Sequence, residues 1–163
     1  MKPQTACFTG HRDIPANEYD NIQYRLEAEL IQLVQQGVTR FCAGGARGFD
    51  MMAAMAVLEL RELFPDVKLI LILPCKKQTE KWITEEKEIY KDILDDADEI
   101  IYTSEHYYHG CMHVHNRRLV DSSDICICYL TKDGGGTEYT VGYAKREGLR
   151  VINIASGEDD VFM

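Results

Sequence analysis

No run in these 163 residues approaches the ~20 consecutive apolar positions that a membrane-spanning helix needs, so the chain is expected to stay out of the bilayer. No C-x-x-C pair exists among the six cysteines, which removes the zinc-ribbon and thioredoxin-like readings. Positive charge is scarce: 18 Lys and Arg stand against 27 Asp and Glu, a net of −9. A nucleic-acid backbone calls for a basic surface, so this balance argues against nucleic acid as a partner. It leaves room for one small anion, because a single loop can oppose the overall charge. Met1 to Thr5 runs straight into a strand with no apolar signal-peptide core, and a cytoplasmic location is expected. No repeat, linker or low-complexity tract breaks the chain, which reads as one domain over 1–163. At 45% apolar and 28% charged it has the composition of a soluble globular protein with a core of its own.

What is present is an alternation of apolar runs and helical periodicity. The strands are Ala6–Thr9, Arg40–Ala43, Val67–Leu73, Asp98–Tyr102, Ile125–Leu130 and Val151–Ile154. Between them lie helices over about Glu18–Gln36, from Met51 to near Phe64, through Trp82, Ile83, Tyr90 and Leu94, around Met112–Ser122, and from Thr137 to Gly148. Val67–Leu73 is almost continuously apolar, which predicts a strand covered on both faces. Six strands alternating with helices through short loops give an α/β fold, a doubly wound parallel sheet of Rossmann-like type. Ala155 to Met163 reads as an acidic tail. Five cysteines (Cys7, Cys42, Cys75, Cys126, Cys128) fall in or beside apolar strands, where a reduced thiol behaves as a small hydrophobe.

Two strand-to-helix turns are rich in glycine. Gly44-Gly45-Ala46-Arg47-Gly48 precedes one helix and Gly134-Gly135-Gly136-Thr137 another. The first N–H groups of a helix have no partner within it, and that end of the helix dipole is positive. Glycines let a phosphate approach those groups closely. Arg47 adds a forked donor suited to phosphate. Thr137 can cap its helix or donate to a phosphate. Gly10-His11-Arg12 puts a cation and a titratable ring beyond the first strand. Asn116 and Arg117 lie on a polar helix stripe that could hold a ribose or a second phosphate. A concave site forms if strand one sits between strands two and five, since ligands of such sheets bind where strand order reverses.

His109, Cys111, His113 and His115 raise a metal reading. On a helix they divide between two faces about 200° apart, so no metal is expected there. Trp82 is expected in the core, with stacking on a base as the alternative.

Together these segments resemble the YpsA-like family of the SLOG superfamily, which also holds DprA and the LOG-type phosphoribohydrolases. The resemblance rests on Phe8-Thr9-Gly10-His11-Arg12, Gly44 to Asp50, Gly110-Cys111-Met112 with Asn116 to Asp124, and Gly134 to Thr137. It implies a Rossmann-like fold and a pocket for a nucleotide or an ADP-ribose-like ligand. The ligand loops would then be Gly10–Arg12, Gly44–Gly48 with Asp50, Asn116 with Arg117, and Gly134–Thr137. No further cofactor is implied, and a homodimer is an expectation from the family alone.

The LOG pattern reads P-G-G-x-G-T-x-x-E. Here Lys132, Asp133 and Thr140 stand at its proline, first glycine and catalytic glutamate. Glu138 and Asp50 remain as candidate catalytic carboxylates, each with a cheaper explanation at a helix start. The expectation is therefore a binding or sensing protein. An N-glycosidic hydrolase of nucleoside monophosphates is the alternative, and a DNA-handling module a third.

Overall fold

The computed structural model describes residues 4–156 and 158–160. Its strands are β1 (Gln4–Gly10), β2 (Val38–Ala43), β3 (Lys68–Leu73), β4 (Glu99–Tyr102), β5 (Ile125–Tyr129), β6 (Arg150–Asn153) and β7 (Glu158–Asp160). Its helices are α1 (Tyr19–Gln35), α2 (Phe49–Leu63), α3 (Thr84–Asp96), α4 (Cys111–Asp121) and α5 (Gly135–Arg146). The sheet order is β4-β3-β2-β1-β5-β6-β7. The first six strands are parallel, and β7 pairs antiparallel with β6. β1 lies between β2 and β5, and strand order reverses there. The acidic tail corrects the sequence reading, since part of it forms β7.

Strand residues alternate between two apolar layers, as a pleated sheet requires. Phe8, Phe41, Leu69 and Leu71 pack with Leu26, Leu30 and Val57 of α1 and α2. Cys7, Cys42, Ile70 and Cys126 pack with Leu119, Val120, Val141 and Ala144 of α4 and α5. Helices therefore cover both faces, and β3 is buried from Leu69 to Leu73. All six cysteines are buried and unbridged. Among the described residues no helix is long and apolar enough to cross a membrane.

One helix start is displaced from its periodicity. α3 begins at Thr84, so Trp82 and Ile83 precede it. Trp82 closes a turn through its N–H to the Thr79 carbonyl and packs edge-on against Tyr90, ring centroids 5.3 Å apart. Glu85 and Glu86 fill the first turn of α3, where the helix dipole favours acid.

A cleft where strand order reverses

The three glycine-bearing loops converge at the carboxyl ends of β1, β2 and β5. A cleft of about 320 Å³ opens between them. Its β1 wall is Thr9 to Asp13, its β5 wall Lys132 and Gly134 to Thr137. Ala46 and Asp50 come from the β2 side, and Met112, His115 and Asn116 from α4.

Local chemistry fixes each wall. The backbone N–H of Thr131 donates to His11 Nε2 at 3.0 Å, tying the β5 loop to the β1 loop. That bond uses the Nε2 lone pair, so the ring is held neutral. Burial, then the Lys132 charge, lower its pKa. The Asn153 side chain accepts from Leu130 N–H and donates to Leu130 C=O, setting where the glycine loop begins. His115 is 2% exposed. Its Nε2 meets the Ile72 carbonyl, and its Nδ1 lies 3.2 Å from the Asn116 side-chain amide, which steers Asn116 into the cleft. Burial lowers the His115 pKa despite these contacts.

The two glycine motifs serve different ends. In the first, packing consumes the glycines. A Cβ at Gly48 would lie 2.2 Å from the Arg12 carbonyl oxygen, and one at Gly44 2.9 Å from His115 Cε1. In the second, a Cβ at Gly134 or Gly135 meets nothing within 4 Å, and both take positive φ, 87° and 84°. Those two glycines shape an open loop that leads into the first turn of α5. Gly134 is the N-cap, with no side-chain cap bond. Thr137 therefore does not cap α5, contrary to one sequence expectation. It lies within the first turn, buried on the cleft wall.

Asp50 also departs from its expected capping role. The N-cap of α2 is Gly48, again without a side-chain cap bond. Asp50 is 6% exposed on the cleft floor. Its Oδ2 accepts the Ala46 N–H at 3.3 Å, while its Oδ1 is buried and has no partner among the described residues. Burial pushes its pKa up to about 7, against smaller opposing effects of the Ala46 bond and Arg12.

Of the residues singled out from sequence, Gly10, His11, Arg12, Asp50, Asn116 and Gly134 to Thr137 line the cleft. Gly44, Gly45, Arg47, Gly48 and Arg117 do not. Arg47 turns toward α3, 3.8 Å from Glu86 and 5.8 Å from the centroid of the Trp82 ring. Glu138 is exposed and outside the lining. Thr140 is buried, and its hydroxyl donates to the Gly136 carbonyl at 2.8 Å. Lys132 and Met112 were not singled out as site residues, although Met112 lies in the Gly110-Cys111-Met112 segment and Lys132 stands at the proline of the LOG pattern. His115 was weighed only as a metal ligand. The four metal candidates are spread apart: Cys111 and His115 are buried, whereas His109 and His113 are exposed and His113 stacks on Tyr139 at 4.1 Å.

Comparison with known proteins agrees with this fold. A UPF0398 protein of Halalkalibacterium halodurans is 27% identical over 128 residues, covering 77% of this chain and 68% of its own. The SPbeta prophage-derived protein YoqJ of Bacillus subtilis is 28% identical over 139 residues, covering 75% of this chain and 81% of its own. DNA processing protein A of Helicobacter pylori, described for its single-stranded DNA binding mode, superposes with a TM-score of 0.65 at 16% identity. That match covers 91% of this chain but 64% of the Helicobacter protein, so this chain spans less than two thirds of it, and the likeness is one of fold. The profile of the YspA SLOG family matches residues 8–151, and the chain belongs to that family.

Proposed function

We propose that this protein binds a nucleotide or a nucleotide-derived ligand of the ADP-ribose kind, with its phosphates at the Gly134–Thr137 turn. The observation that carries this reading is the contrast between the two glycine motifs. Gly134 and Gly135 answer to no packing neighbour, yet they open the amino end of α5 toward a cleft at the strand reversal. Lys132 and Arg12 add positive charge on the same walls. The SLOG family membership and the DprA-like fold support a nucleotide-related role.

An N-glycosidic hydrolase is the second reading, and Asp50 is what favours it. Glycosidic cleavage uses carboxylates at the bond. Glu138 is exposed outside the cleft, and Thr140 is uncharged with its hydroxyl engaged. Asp50 is on the cleft floor with an oxygen to spare. Sensing without turnover is the reading we favour, since among the described lining residues the second carboxylate, Asp13, is exposed on the β1 wall and not paired with Asp50 in a buried site. The single-stranded DNA binding described for the Helicobacter protein is opposed here by the net charge of −9.

Thermal-shift titration with ADP-ribose and AMP tests the proposal. A ligand that prefers the folded state raises the melting temperature as its concentration passes the Kd. A rise with either compound is expected, and no rise with any nucleotide would contradict it. Chromatography of the same samples for free adenine separates a binder from a hydrolase.

A further inference from the structure

The unpartnered oxygen of Asp50 calls for an explanation that packing does not provide. A buried acceptor without a partner costs about 1–3 kcal/mol, and more when charged. The residue is 6% exposed, sits on the cleft floor, and bonds the backbone through its other oxygen. A phosphate is the wrong occupant for this spot, because it offers only negatively charged acceptors. A hydroxyl offers a neutral donor.

We propose that Asp50 Oδ1 accepts a hydrogen bond from a ribose hydroxyl of the bound ligand, so that the cleft has an anion end at α5 and a donor-seeking end at α2. This rests on the nucleotide reading above and narrows it to ligands carrying a free sugar hydroxyl. The groups around this end fit the assignment. His115 flanks Gly44 opposite Asp50 Oδ2, with its own nitrogens already engaged by Ile72 and Asn116. It therefore does not compete for Oδ1. Arg12 offers charge from the β1 wall without a bond to Asp50.

Asp50→Asn reverses the polarity at Oδ1. The Ala46 N–H still needs an acceptor, so the amide oxygen turns toward it and the NH₂ group faces the ligand. Isothermal titration at about pH 8.5, above the Asp50 pKa of about 7 so that the carboxylate is ionised, with AMP, its 2′,3′-dideoxy analogue and inorganic pyrophosphate reads the consequence. In the native protein AMP is expected to bind at least about tenfold tighter than the dideoxy analogue, as one charge-assisted hydrogen bond implies. Asp50→Asn is expected to shrink that difference, because a neutral amide N–H to hydroxyl bond replaces the charge-assisted one, and to leave pyrophosphate affinity unchanged. Equal binding of AMP and the dideoxy analogue by the native protein overturns the proposal, whether or not the variant folds. Loss of pyrophosphate binding in a folded Asp50→Asn also overturns it. If AMP and pyrophosphate bind but the hydroxyls do not matter, only this inference falls. If none of the three binds, the nucleotide reading falls with it.

Discussion

The imidazole of His11 accepts the backbone N–H of Thr131 at 3.0 Å, across 120 residues of sequence. One side chain thus locks two walls of the cleft together. The bond needs a neutral ring, and burial first, then the Lys132 charge, lower the folded-state pKa. A depressed histidine pKa gives stability that is present above the unfolded value of 6.5 and is lost as pH falls through the folded one. Thermal melts from about pH 7.5 down to about pH 5 should therefore show a loss in the native protein that His11→Phe shows less of. At neutral pH His11→Phe should itself be less stable by about 1–3 kcal/mol, because the Thr131 N–H loses its acceptor.

Asp50 has the opposite sign. Its folded pKa, about 7, lies above the ordinary carboxylate value of 3.8. The fold holds the proton that the unfolded chain releases, so this group's contribution falls as pH rises from about 4 to about 7. The melting temperature of Asp50→Asn relative to native should climb between about pH 5 and about pH 8, by the equivalent of a few kcal/mol at most. A flat difference would mean the carboxyl is ionised throughout.

Gly10→Ala places a methyl about 2.5 Å from the Phe49 ring, which lies in the core beneath the cleft. Overpacking of that kind costs about 1–3 kcal/mol or more. Urea denaturation should show a lower midpoint with an unchanged slope. Any loss of ligand affinity in that variant then follows from damage to the fold.

Arg47→Ala separates the two glycine motifs. The guanidinium lies by Glu86 and Trp82, off the cleft lining. The half-exposed pair with Glu86 is worth at most about 1 kcal/mol. Nucleotide affinity should change less in Arg47→Ala than in Arg12→Ala, as read by thermal shift. The reverse order would return the opening motif to the ligand site.

A gel-shift titration with single-stranded DNA at physiological salt should show no micromolar complex, given the net charge of −9. A tight, salt-sensitive complex would bring the DNA-handling reading forward.

The sheet was legible because its strands are long apolar runs with glycine or helical periodicity at their ends. A place for β1 between β2 and β5 was favoured, though not fixed, by the need for three glycine turns to meet, and the sheet has that order. β7 was hidden because Glu158, Asp159 and Asp160 carry no apolar alternation, and pairing with β6 alone makes them a strand. α3 started late because Trp82 has the right helical spacing from Tyr90 but packs on it from a preceding turn. At the site, glycine marked both turns without revealing which faced the cleft. That depended on what stands opposite each glycine, and Arg12, His115 and Phe49 are distant in sequence. Arg47 looked like a phosphate ligand for the same reason. Its partners Trp82 and Glu86 come from another loop and helix. Asp50 read as a cap because it sits one residue inside a helix, and only the assembled fold shows that it lines the cleft.

Gly136→Ala tests the central claim most directly. Gly136 lies on the cleft wall, and a Cβ there would meet only Asn116 Nδ2, at an ordinary 3.8 Å. The methyl costs the fold nothing but occupies ligand space over the amide end of α5. Isothermal titration of ADP-ribose should show binding by the native protein and at least about tenfold weaker binding by Gly136→Ala, a loss of about 1.4 kcal/mol or more, at an unchanged melting temperature. Equal affinity in the two proteins, or no binding by the native one, would contradict the account.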